Sequence, residues 1–381
     1  MQQQTTTGNT PSRVGWEDLE QWVRRQVQDL VQDILEQEVT EFLGRAKSAR
    51  RPGGEEAGYR NGYGKPRALT LGAGTIHIRR PRVRNAEEQF TSHVLPLFVR
   101  HSPQVRDLIP QLYLHGLSEG DFDLALRGLL GDDAPLSAST VARLKEQWQS
   151  DLETWRRRSL GDLEVVYLWV DGVYVKAGLE KDKAAVLVAL AALTDGRKVV
   201  VAVEAGYRES TQSWARFLRD LKARGLASPK LVIGDGHLGI WGGLREVYPD
   251  ADEQRCWNHK AMNVLERLPK KAHAPATLLL RPIPYAETKT EAEQRRETFV
   301  AWCRQRGYEA AAETLCRDWE RMVTFYAYPK AHWQHLRTSN PVESPFAALR
   351  LRTDAAKRYK KVDLATAVIW KLVKRQVKVP I

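Results

Sequence analysis

The sequence predicts an α/β protein whose strand-rich core is interrupted by a helical insertion and preceded by helical and basic regions. Residues 165–176, VVYLWVDGVYVK, form an apolar run rich in β-branched and aromatic residues, which is typical of a buried central strand. Two further strand-like runs follow, joined by the hairpin signal Asp195-Gly196-Arg197, and helical segments then alternate with short strands. With 381 residues the chain exceeds one core of ordinary size, so we expect two or three domains.

Composition and charge indicate the class of partner. Hydrophobic residues make up 43% of the chain, which is enough to form substantial cores and argues against general disorder. The formal net charge of +12 favours a polyanionic partner, with nucleic acid ahead of a membrane surface. A basic protein that binds no polyanion is the alternative when charge is considered alone.

The cysteines and the lengths of the apolar runs indicate in which cellular compartment the protein is expected. Cys256, Cys303 and Cys316 are too few and too scattered for a disulfide framework, which fits a reducing environment. The first 13 residues contain no apolar segment of the signal-peptide type. The longest apolar run, 184–193, is shorter than the ~18 residues that a membrane span needs. We therefore expect a cytoplasmic protein without a membrane partner.

The first segments of the chain differ in composition. Residues 1–15 are polar and rich in Gln and Thr, and we expect them to be disordered. Between residues 16 and 43 apolar side chains recur at steps of three and four, which predicts a long amphipathic helix. Such a helix covers a core or pairs with a second copy of the chain. Together with the basic stretch after it, this helix forms a predicted N-terminal region, residues 16–100.

The basic stretch predicts a β-ribbon that contacts phosphate. Residues 68–71 and 75–78 have the pattern of two short strands, and Tyr59 and Tyr63 are interleaved with the cations. A basic ribbon with aromatic side chains suits DNA contact, whereas a solvated charged hairpin is the alternative. The candidate DNA-binding residues are Arg60, Lys65, Arg67, Arg79, Arg80, Arg82 and Arg84.

Residues 101–160 are predicted to be helical. LYLHGLSEGDFDLALRGLLG followed by LSASTVARLKEQW has the pattern of a helix-turn-helix, with Ser118 capping one helix and Ser137 or Ser139 capping the next. An all-helical spacer explains the same pattern. In the helix-turn-helix interpretation, the residues available to a DNA groove are Thr140, Arg143 and Lys145.

The first part of the core is predicted to span residues 161–261. Three strand-like runs are followed by a helix, a strand that ends at Gly234, a second helix and a fifth strand, EQRCWN (residues 253–258). Three hairpin-connected strands followed by helix, strand, helix and strand is the order of a ribonuclease-H-like fold.

Three carboxylates occupy positions suited to a divalent-metal site. Asp171 lies on the first core strand, Asp235 follows the fourth strand, and Glu343 lies at the start of a distant helix. A carboxylate at the exit of a buried strand is unfavourable unless a positive group binds it. Each residue also has a structural interpretation, because Asp-Gly pairs often form turns. Likewise, Asn340 as N-cap, Pro341 and Glu343 resemble a capping box.

The C-terminal third contains helical, aromatic and basic segments. Residues 262–335 are helical and highly charged, and they separate Asp235 from the second part of the core, residues 336–381. The aromatic residues Trp302, Trp319, Phe325 and Tyr326 are predicted to pack in a core instead of stacking on DNA. The candidate DNA contacts near Glu343 are His332, Trp333, Arg337, Arg350 and Arg352, and the basic strip continues with Lys357, Arg358, Lys360 and Lys361.

Taken together, these blocks resemble the Mutator-type transposases of bacterial insertion sequences. The matching blocks are VDGVYVK, LVIGDGHLGIW, EVYPDADEQRCWNHKAMNVL, FYAYPKAHWQHLRTSNPVESPFAALRLRT and, upstream, GYRNGYGKPRALTLGAGTIHIRRPRVR. The resemblance runs from about residue 39 to the C-terminus. It implies a DDE catalytic triad at Asp171, Asp235 and Glu343 and a two-metal mechanism with Mg²⁺, or Mn²⁺ as a substitute. By analogy with similar folds, Asp171 would contact both ions.

The resemblance also implies partners and accessory features. The expected substrate is double-stranded DNA at the terminal inverted repeats and at the target, bound by a homodimer or larger multimer at the bacterial nucleoid. The insertion at 262–335 is expected to be all-α. Cys256-x-x-His259 has the spacing of half a zinc site, but the family has this element beside the active site, which favours a structural or DNA-positioning role. A nuclease on the same fold and a domesticated DNA-binding protein are the alternative functions.

Overall fold

The chain, described from a computed structural model, divides into two compact units of mixed α and β structure. The first unit consists of Met1–Tyr113 and Leu117–Ala142, and the second of Leu114–Gly116 and Arg143–Ile381. The described residues are 15–49, 58–96, 99–117, 121–131, 138–177, 184–206, 210–356 and 358–376. The predictions of disorder for residues 1–14, of helix caps at Ser118 and Ser137, and of a basic contact at Lys357 lie outside them. The α/β class is confirmed, and the finer division into six segments stays a prediction.

The first unit is built on the predicted N-terminal helix, α1 (Trp16–Leu43). It ends at Gly44, whose left-handed backbone (φ 62°) suits glycine and turns the chain away from the helix. Leu35 of this helix packs with Leu69, Ile76 and Ile78 in a small hydrophobic core. The helix therefore covers a core, as one of the two sequence interpretations has it.

Four short strands follow α1 and form two separate antiparallel pairs. They are β1 (Tyr59–Tyr63), β2 (Arg67–Leu71), β3 (Gly74–Ile78) and β4 (Pro81–Arg84). The β2–β3 hairpin contains the two strands read from the sequence, whereas the pairing of β1 with β4 encloses that hairpin. Helix α1 packs against β3 and β4.

Three helices follow the ribbon along the chain. They are α2 (Pro103–Leu114), α3 (Asp121–Leu130) and α4 (Ala138–Arg156). Helical structure in this part of the chain agrees with the sequence. Ser139 lies within α4 and not at its N-cap, because the helix begins one residue earlier. Whether α3 and α4 bind DNA as a helix-turn-helix stays a prediction.

The second unit contains one five-stranded mixed sheet. Its strands are β5 (Val165–Val175), β6 (Ala184–Leu193), β7 (Lys198–Gly206), β8 (Leu231–Gly234) and β9 (Asp252–Arg255), in the order β7-β6-β5-β8-β9. The first three strands are antiparallel, and β8 and β9 run parallel to β5. The first four strands lie where the sequence predicts them. The predicted fifth strand, residues 253–258, is wrong in its second half, because β9 ends at Arg255 and a helix begins at Trp257.

Two helices cover one side of the sheet. Helix α5 (Thr211–Ala223) begins at Ser210, whose side chain accepts a hydrogen bond from Ser213 N at 3.2 Å, and helix α6 (Leu238–Val247) packs against α5. The hydrophobic core between helices and sheet includes the fully buried rings of Trp214 and Phe217. This core fixes β5 and β8 in place, and these two strands position part of the candidate site described below.

The outer edge of the sheet at β7 is covered by arginine side chains. Their guanidinium groups donate to backbone carbonyls of the edge strand: Arg156 to Val203 at 3.0 Å, Arg158 to Val200 at 2.8 Å and Arg224 to Val201 at 3.1 Å. These donors occupy hydrogen-bonding groups that an edge strand otherwise leaves open.

The remainder of the second unit is helical. The helices are α7 (Trp257–Leu265), α8 (His273–Leu280), α9 (Lys289–Arg304), α10 (Glu309–Cys316), α11 (Trp319–Val323), α12 (Trp333–Leu336), α13 (Asn340–Glu343), α14 (Phe346–Ala356) and α15 (Val362–Gln376). Helices α8 to α11, with short 3₁₀ turns, form the predicted helical insertion. Trp319 and Phe325 are buried in it, as expected, while Trp302 and Tyr326 pack against other aromatic rings at its periphery. In the described parts of the chain, no helix is long and apolar enough to cross a membrane.

The insertion is joined to the edge strand β9 by a buried amide. Gln254 is fully buried; its Nε2 donates to Met322 O at 3.1 Å and its Oε1 accepts from Phe325 N at 2.8 Å. Trp257 Nε1 donates to the same Met322 carbonyl at 2.7 Å. The insertion is therefore fastened to the sheet by hydrogen bonds that water cannot replace.

We expect Gln254→Leu to lower the free energy of unfolding by about 1–3 kcal/mol, because it leaves the Phe325 N–H without its partner and removes one of the two donors to the Met322 carbonyl. Urea denaturation followed by tryptophan fluorescence measures this change. The matched control is Gln334→Leu, at an exposed position, which should change stability by less than about 0.5 kcal/mol. Equal stability of the two variants would contradict the role of Gln254.

Candidate active site

The sequence predicts that Asp171 lies at the exit of its strand. In the structure, Asp171 lies inside strand β5. The strand continues to Val175 because residues 172–175 keep pairing with β6, from Gly172 opposite Leu187 to Val175 opposite Ala184. The parallel pairing with β8 ends earlier, at Trp169. Asp171 therefore lies where β5 loses one neighbour and keeps the other, and its side chain is only 7% exposed.

Asp235 directly follows β8, the parallel neighbour of β5. The register pairs Tyr167 with Leu231 and Trp169 with Ile233, and its continuation brings Asp171 alongside Asp235. Adjacent strands are about 4.8 Å apart, so the two carboxylates project from neighbouring backbones. The Asp235 carboxylate accepts a hydrogen bond from His237 N at 2.9 Å.

The residue after Asp235 must be glycine for two reasons. Gly236 has φ 94°, in the left-handed region, and a Cβ at this position would lie 2.1 Å from Arg255 Nε. Asp235 is therefore followed at the end of the strand by a backbone conformation that suits glycine.

Glu343 is brought to the sheet by helix α13, which packs against β5 and β6. The predicted capping box is wrong in its register: Ser339 is the N-cap, Asn340 is the first helical residue and Glu343 is the fourth. Asn340 instead pairs with another chain segment, because its Oδ1 accepts from Asn258 Nδ2 at 2.8 Å. The Glu343 carboxylate accepts a hydrogen bond from the Ser339 hydroxyl.

The three carboxylates act on one another electrostatically. Burial, followed by the negative charges of Asp235 and Glu343, raises the pKa of Asp171 to about 8, while the hydrogen bond from the Gly172 N–H at 2.8 Å opposes the shift. Both carboxylates therefore lie close enough to disfavour ionisation of Asp171. The fold thus brings together three acidic residues from two strands and a separate helix.

Cys256 and His259 lie beside Glu343. One ligand atom of each of these three residues lies within 4.8 Å of the others, and His259 Nδ1 is 3.7 Å from Glu343 Oε1. In the described part of the chain, three potential metal ligands come this close together at Cys256, His259 and Glu343. Asp171 and Asp235 are not part of this group. A hydrogen bond with Cys256 and the nearby carboxylates raise the pKa of His259 to about 9, so the imidazole is positively charged at neutral pH.

Ser339 connects these groups, and the sequence analysis did not identify it. It is fully buried; its N–H donates to Cys256 Sγ at 3.3 Å, and its hydroxyl lies 3.5 Å from His259 Nδ1 while donating to Glu343. Trp257 N also donates to Arg337 O at 3.0 Å. The Cys-x-x-His segment therefore fixes the chain that leads into α13. The only sequence signal for Ser339 is its place just before Asn340.

The candidate DNA contacts near Glu343 have different surroundings. Three of them contact the protein itself: His332 Nδ1 is 2.8 Å from Tyr167 Oη, Trp333 Nε1 donates to Tyr328 O at 2.7 Å, and the Arg337 guanidinium stacks 4.2 Å from the Tyr285 ring centre. Arg352 is buried, whereas Arg350 is exposed on α14.

The basic residues of the first unit also separate into groups. Arg60 forms a salt bridge with Glu36 of α1 at 2.9 Å, which ties β1 to the helix. Arg79 is exposed, and its backbone N–H donates to Gln32 Oε1 at 3.0 Å. The other five, Lys65, Arg67, Arg80, Arg82 and Arg84, line a single cleft.

In EDTA we expect Asp171→Asn to stabilise the protein, and more so as the pH rises. The folded state keeps the Asp171 proton up to about pH 8, whereas the unfolded chain loses it near its ordinary pKa of 3.8, so the wild type loses stability between these values. The amide has no charge to desolvate, and the expected gain at pH 8 is on the order of 5 kcal/mol, because folding raises the pKa of Asp171 from 3.8 to about 8. Thermal unfolding at several pH values measures it.

The control for this comparison is Asp162→Asn, at an exposed carboxylate. Its stability should follow that of the wild type across the pH series. A difference between Asp171→Asn and wild type that does not change with pH would contradict the electrostatic origin of the effect.

Comparison with known proteins identifies the family. The sequence profile described as "Transposase, Mutator family" matches residues 2–374. The chain is 45% identical over 278 residues to the transposase for insertion sequence element IS6120 of Mycolicibacterium smegmatis, covering 70% of this chain and 85% of the relative. It is 30% identical over 337 residues to the transposase for insertion sequence element ISRM5 of Rhizobium meliloti, covering 87% and 81%. The chain therefore belongs to the Mutator family of transposases.

Proposed function

We propose that the protein is a DDE transposase that binds the terminal inverted repeats of an insertion sequence, cuts DNA strands there and joins them to a target. The observation that supports this most directly is geometric: the parallel register of β5 and β8 brings Asp171 alongside Asp235, and the helix with Glu343 packs against β5. Three acidic residues that destabilise one another persist in a fold when they serve a function. The names of the relatives, each a transposase for an insertion sequence element, supply the substrate class.

The sheet supports a ribonuclease-H-like core. Three antiparallel strands, β5 to β7, are followed by two strands parallel to β5, and α5 and α6 connect them. This is the strand order and direction of that fold. The candidate carboxylates lie on the central strand, on its parallel neighbour and on a helix that returns to the sheet after the insertion.

The donor set fits divalent cations with hard oxygen preference. In the part of the chain that the structure describes, Asp171 and Asp235 form no salt bridge, and the protein donors to their carboxylates are the N–H groups of Gly172 and His237. Buried acidic groups without a cationic partner are suited to Mg²⁺ or Mn²⁺. Asp171, Asp235 and Glu343 would hold the metal. When bound, such ions increase the acidity of an attacking water or hydroxyl and neutralise charge on the leaving oxygen.

The residues around the carboxylates would prepare the site. Asp171 must release its proton before it can act as a ligand. His259 Nδ1 lies 3.7 Å from Glu343 Oε1, and the Ser339 hydroxyl donates to the same oxygen and fixes its position. Exposed Arg350, on the helix after Glu343, would attract the phosphate backbone toward the site. The first unit would supply binding to the terminal repeats, and two or more copies of the protein would hold two DNA ends together.

We expect Asp171→Asn, Asp235→Asn and Glu343→Gln each to reduce strand cleavage by at least about 10³-fold, because each removes a ligand oxygen anion while preserving shape. DNA binding should change by less than about threefold. The assay uses element-end DNA with flanking sequence, in Mg²⁺ and in EDTA, and scores cut and joined products. Asp162→Asn, at an exposed position, is the control and should cleave like wild type.

The same assay separates the alternatives. Cleavage without joining would indicate a nuclease on this fold, and binding without either product would indicate a DNA-binding protein. Cleavage retained in any of the three carboxylate variants would contradict the assigned triad.

We expect the affinity for Mn²⁺ to increase between about pH 6 and about pH 8, because metal binding must displace the proton that burial keeps on Asp171. Titration calorimetry in buffers of different ionisation enthalpy measures both the affinity and the released proton. Asp171→Asn should bind weakly and release no proton. An affinity independent of pH in this range would contradict the proposal that Asp171 is a ligand.

A further inference from the structure

A cleft in the first unit collects most of the basic residues of the β-ribbon. It has a volume of about 370 Å³ and lies between the segment after β1 and strand β4. The pairing of these strands, from Tyr59 opposite Arg84 to Tyr63 opposite Pro81, places the alternating cations of β4 along one wall. Gly64 N donates to Arg80 O at 2.8 Å and closes one end of the pair.

The cleft concentrates positive charge. Lys65, Arg67, Arg80, Arg82 and Arg84 line it, no carboxylate is among its lining residues, and none of the five forms a salt bridge within the described chain. Arg67 and Arg80 donate to the carbonyls of Val99 and Leu95, which holds their guanidinium groups in place. Burial, followed by the charges of Arg80 and Arg100, lowers the pKa of Arg67, so an anion in the cleft would relieve repulsion between the arginines.

The remaining lining residues have a different chemistry. Asn61 and Gln89 offer side-chain amides, and Phe90 adds an aromatic ring that is held edge-on against Phe42, with 5.3 Å between ring centres. Amides read the hydrogen-bonding edges of bases, and aromatic rings stack on their faces. A site that contacted only backbone phosphates would need the cations but neither the amides nor the aromatic ring.

The size of the cleft limits its occupant. A volume of 370 Å³ is near the lower end of small-molecule sites, which span about 300–1,000 Å³, and a double helix is far too wide to enter it. A backbone phosphate or a single nucleotide displaced from the duplex can enter. Of these two, only the nucleotide uses the amides and the ring as well as the cations.

We propose that this cleft binds one unpaired nucleotide of DNA, with its phosphate on the basic wall and its base against Phe90 and the amides of Asn61 and Gln89. The inference rests on the proposed function, in which the first unit binds element ends. Cutting and joining create single-stranded ends and branched junctions, and a site for an unpaired nucleotide would let the protein distinguish these from intact duplex.

The test is fluorescence anisotropy of the full chain with two probes of identical duplex sequence, one blunt and one with a short single-stranded tail. The Asp171→Asn protein in EDTA is used throughout, so that binding is measured without cleavage. We expect this protein to prefer the tailed probe by about tenfold, since stacking of one base contributes a factor of this size. Phe90→Leu and Gln89→Ala in this background should each lose most of the preference while binding the blunt probe nearly unchanged.

Charge variants and a control complete the design. Arg82→Gln and Arg84→Gln should weaken binding to both probes and reduce its salt dependence. Arg25→Gln, at an exposed residue of α1 outside the cleft, should leave the preference for the tailed probe intact. Gln89 is exposed, so its variant tests the cleft even if Phe90→Leu alters packing against Phe42.

Two results would overturn the inference: no preference for the tailed probe in the starting protein, or a full preference retained in both Phe90→Leu and Gln89→Ala. Either result would leave the proposed cleavage activity untouched. Conversely, if the Asp171→Asn protein shows the preference but the wild type fails to cleave DNA in Mg²⁺, the result would support the nucleotide site and contradict the proposed function.

Discussion

The burial of the Asp171 carboxyl group beside two other carboxylates is the constraint on which the candidate site depends. Desolvation alone disfavours its charge, and Asp235 and Glu343 add repulsion. The fold tolerates this because strand β5 is fixed by antiparallel pairing with β6 on one side and by β8 on the other. A rigid sheet that holds acidic groups against their mutual repulsion is what the proposed metal site requires.

The third carboxylate reaches this site through a chain of short contacts. The Cys256 N–H donates to Gly234 O at 2.8 Å, next to Asp235, and the Cys256 thiol accepts from Ser339 N, next to α13. The Cys-x-x-His segment therefore links the strand that leads to Asp235 with the helix that holds Glu343. The insertion between them is fastened to β9 by Gln254, so its helices cannot displace this link without breaking buried hydrogen bonds.

Features that depend on local periodicity were predictable from the sequence, whereas features that depend on contacts between distant segments were not. The first four core strands and α1 were recoverable because apolar side chains repeat at the spacing of each element. The pairing of β1 with β4 was not, because it joins segments separated by a complete hairpin. The start of α13 was misplaced by one residue because Asn340, a good N-cap by type, bonds to Asn258 instead.

The candidate site shows the same division. The three acidic residues were named from strand and helix patterns together with the family resemblance, but Ser339 has no distinguishing pattern, since its role comes from partners on α7. Arg60 looked equivalent to its basic neighbours, yet Glu36 lies opposite it and pairs with it. The charge of a sequence indicates a polyanionic partner for the whole basic region. Which basic side chains remain available to bind that partner depends on the salt bridges that form in the folded protein.

The arginines along β7 limit how copies of this protein can associate. Arg156, Arg158 and Arg224 occupy the carbonyls of Val203, Val200 and Val201 along that border of the sheet. Arg158 keeps its charge at neutral pH, because its pKa, although lowered by burial and by Arg224, is still about 10. A strand from another molecule would have to displace these three hydrogen bonds before it could pair with β7 at those positions.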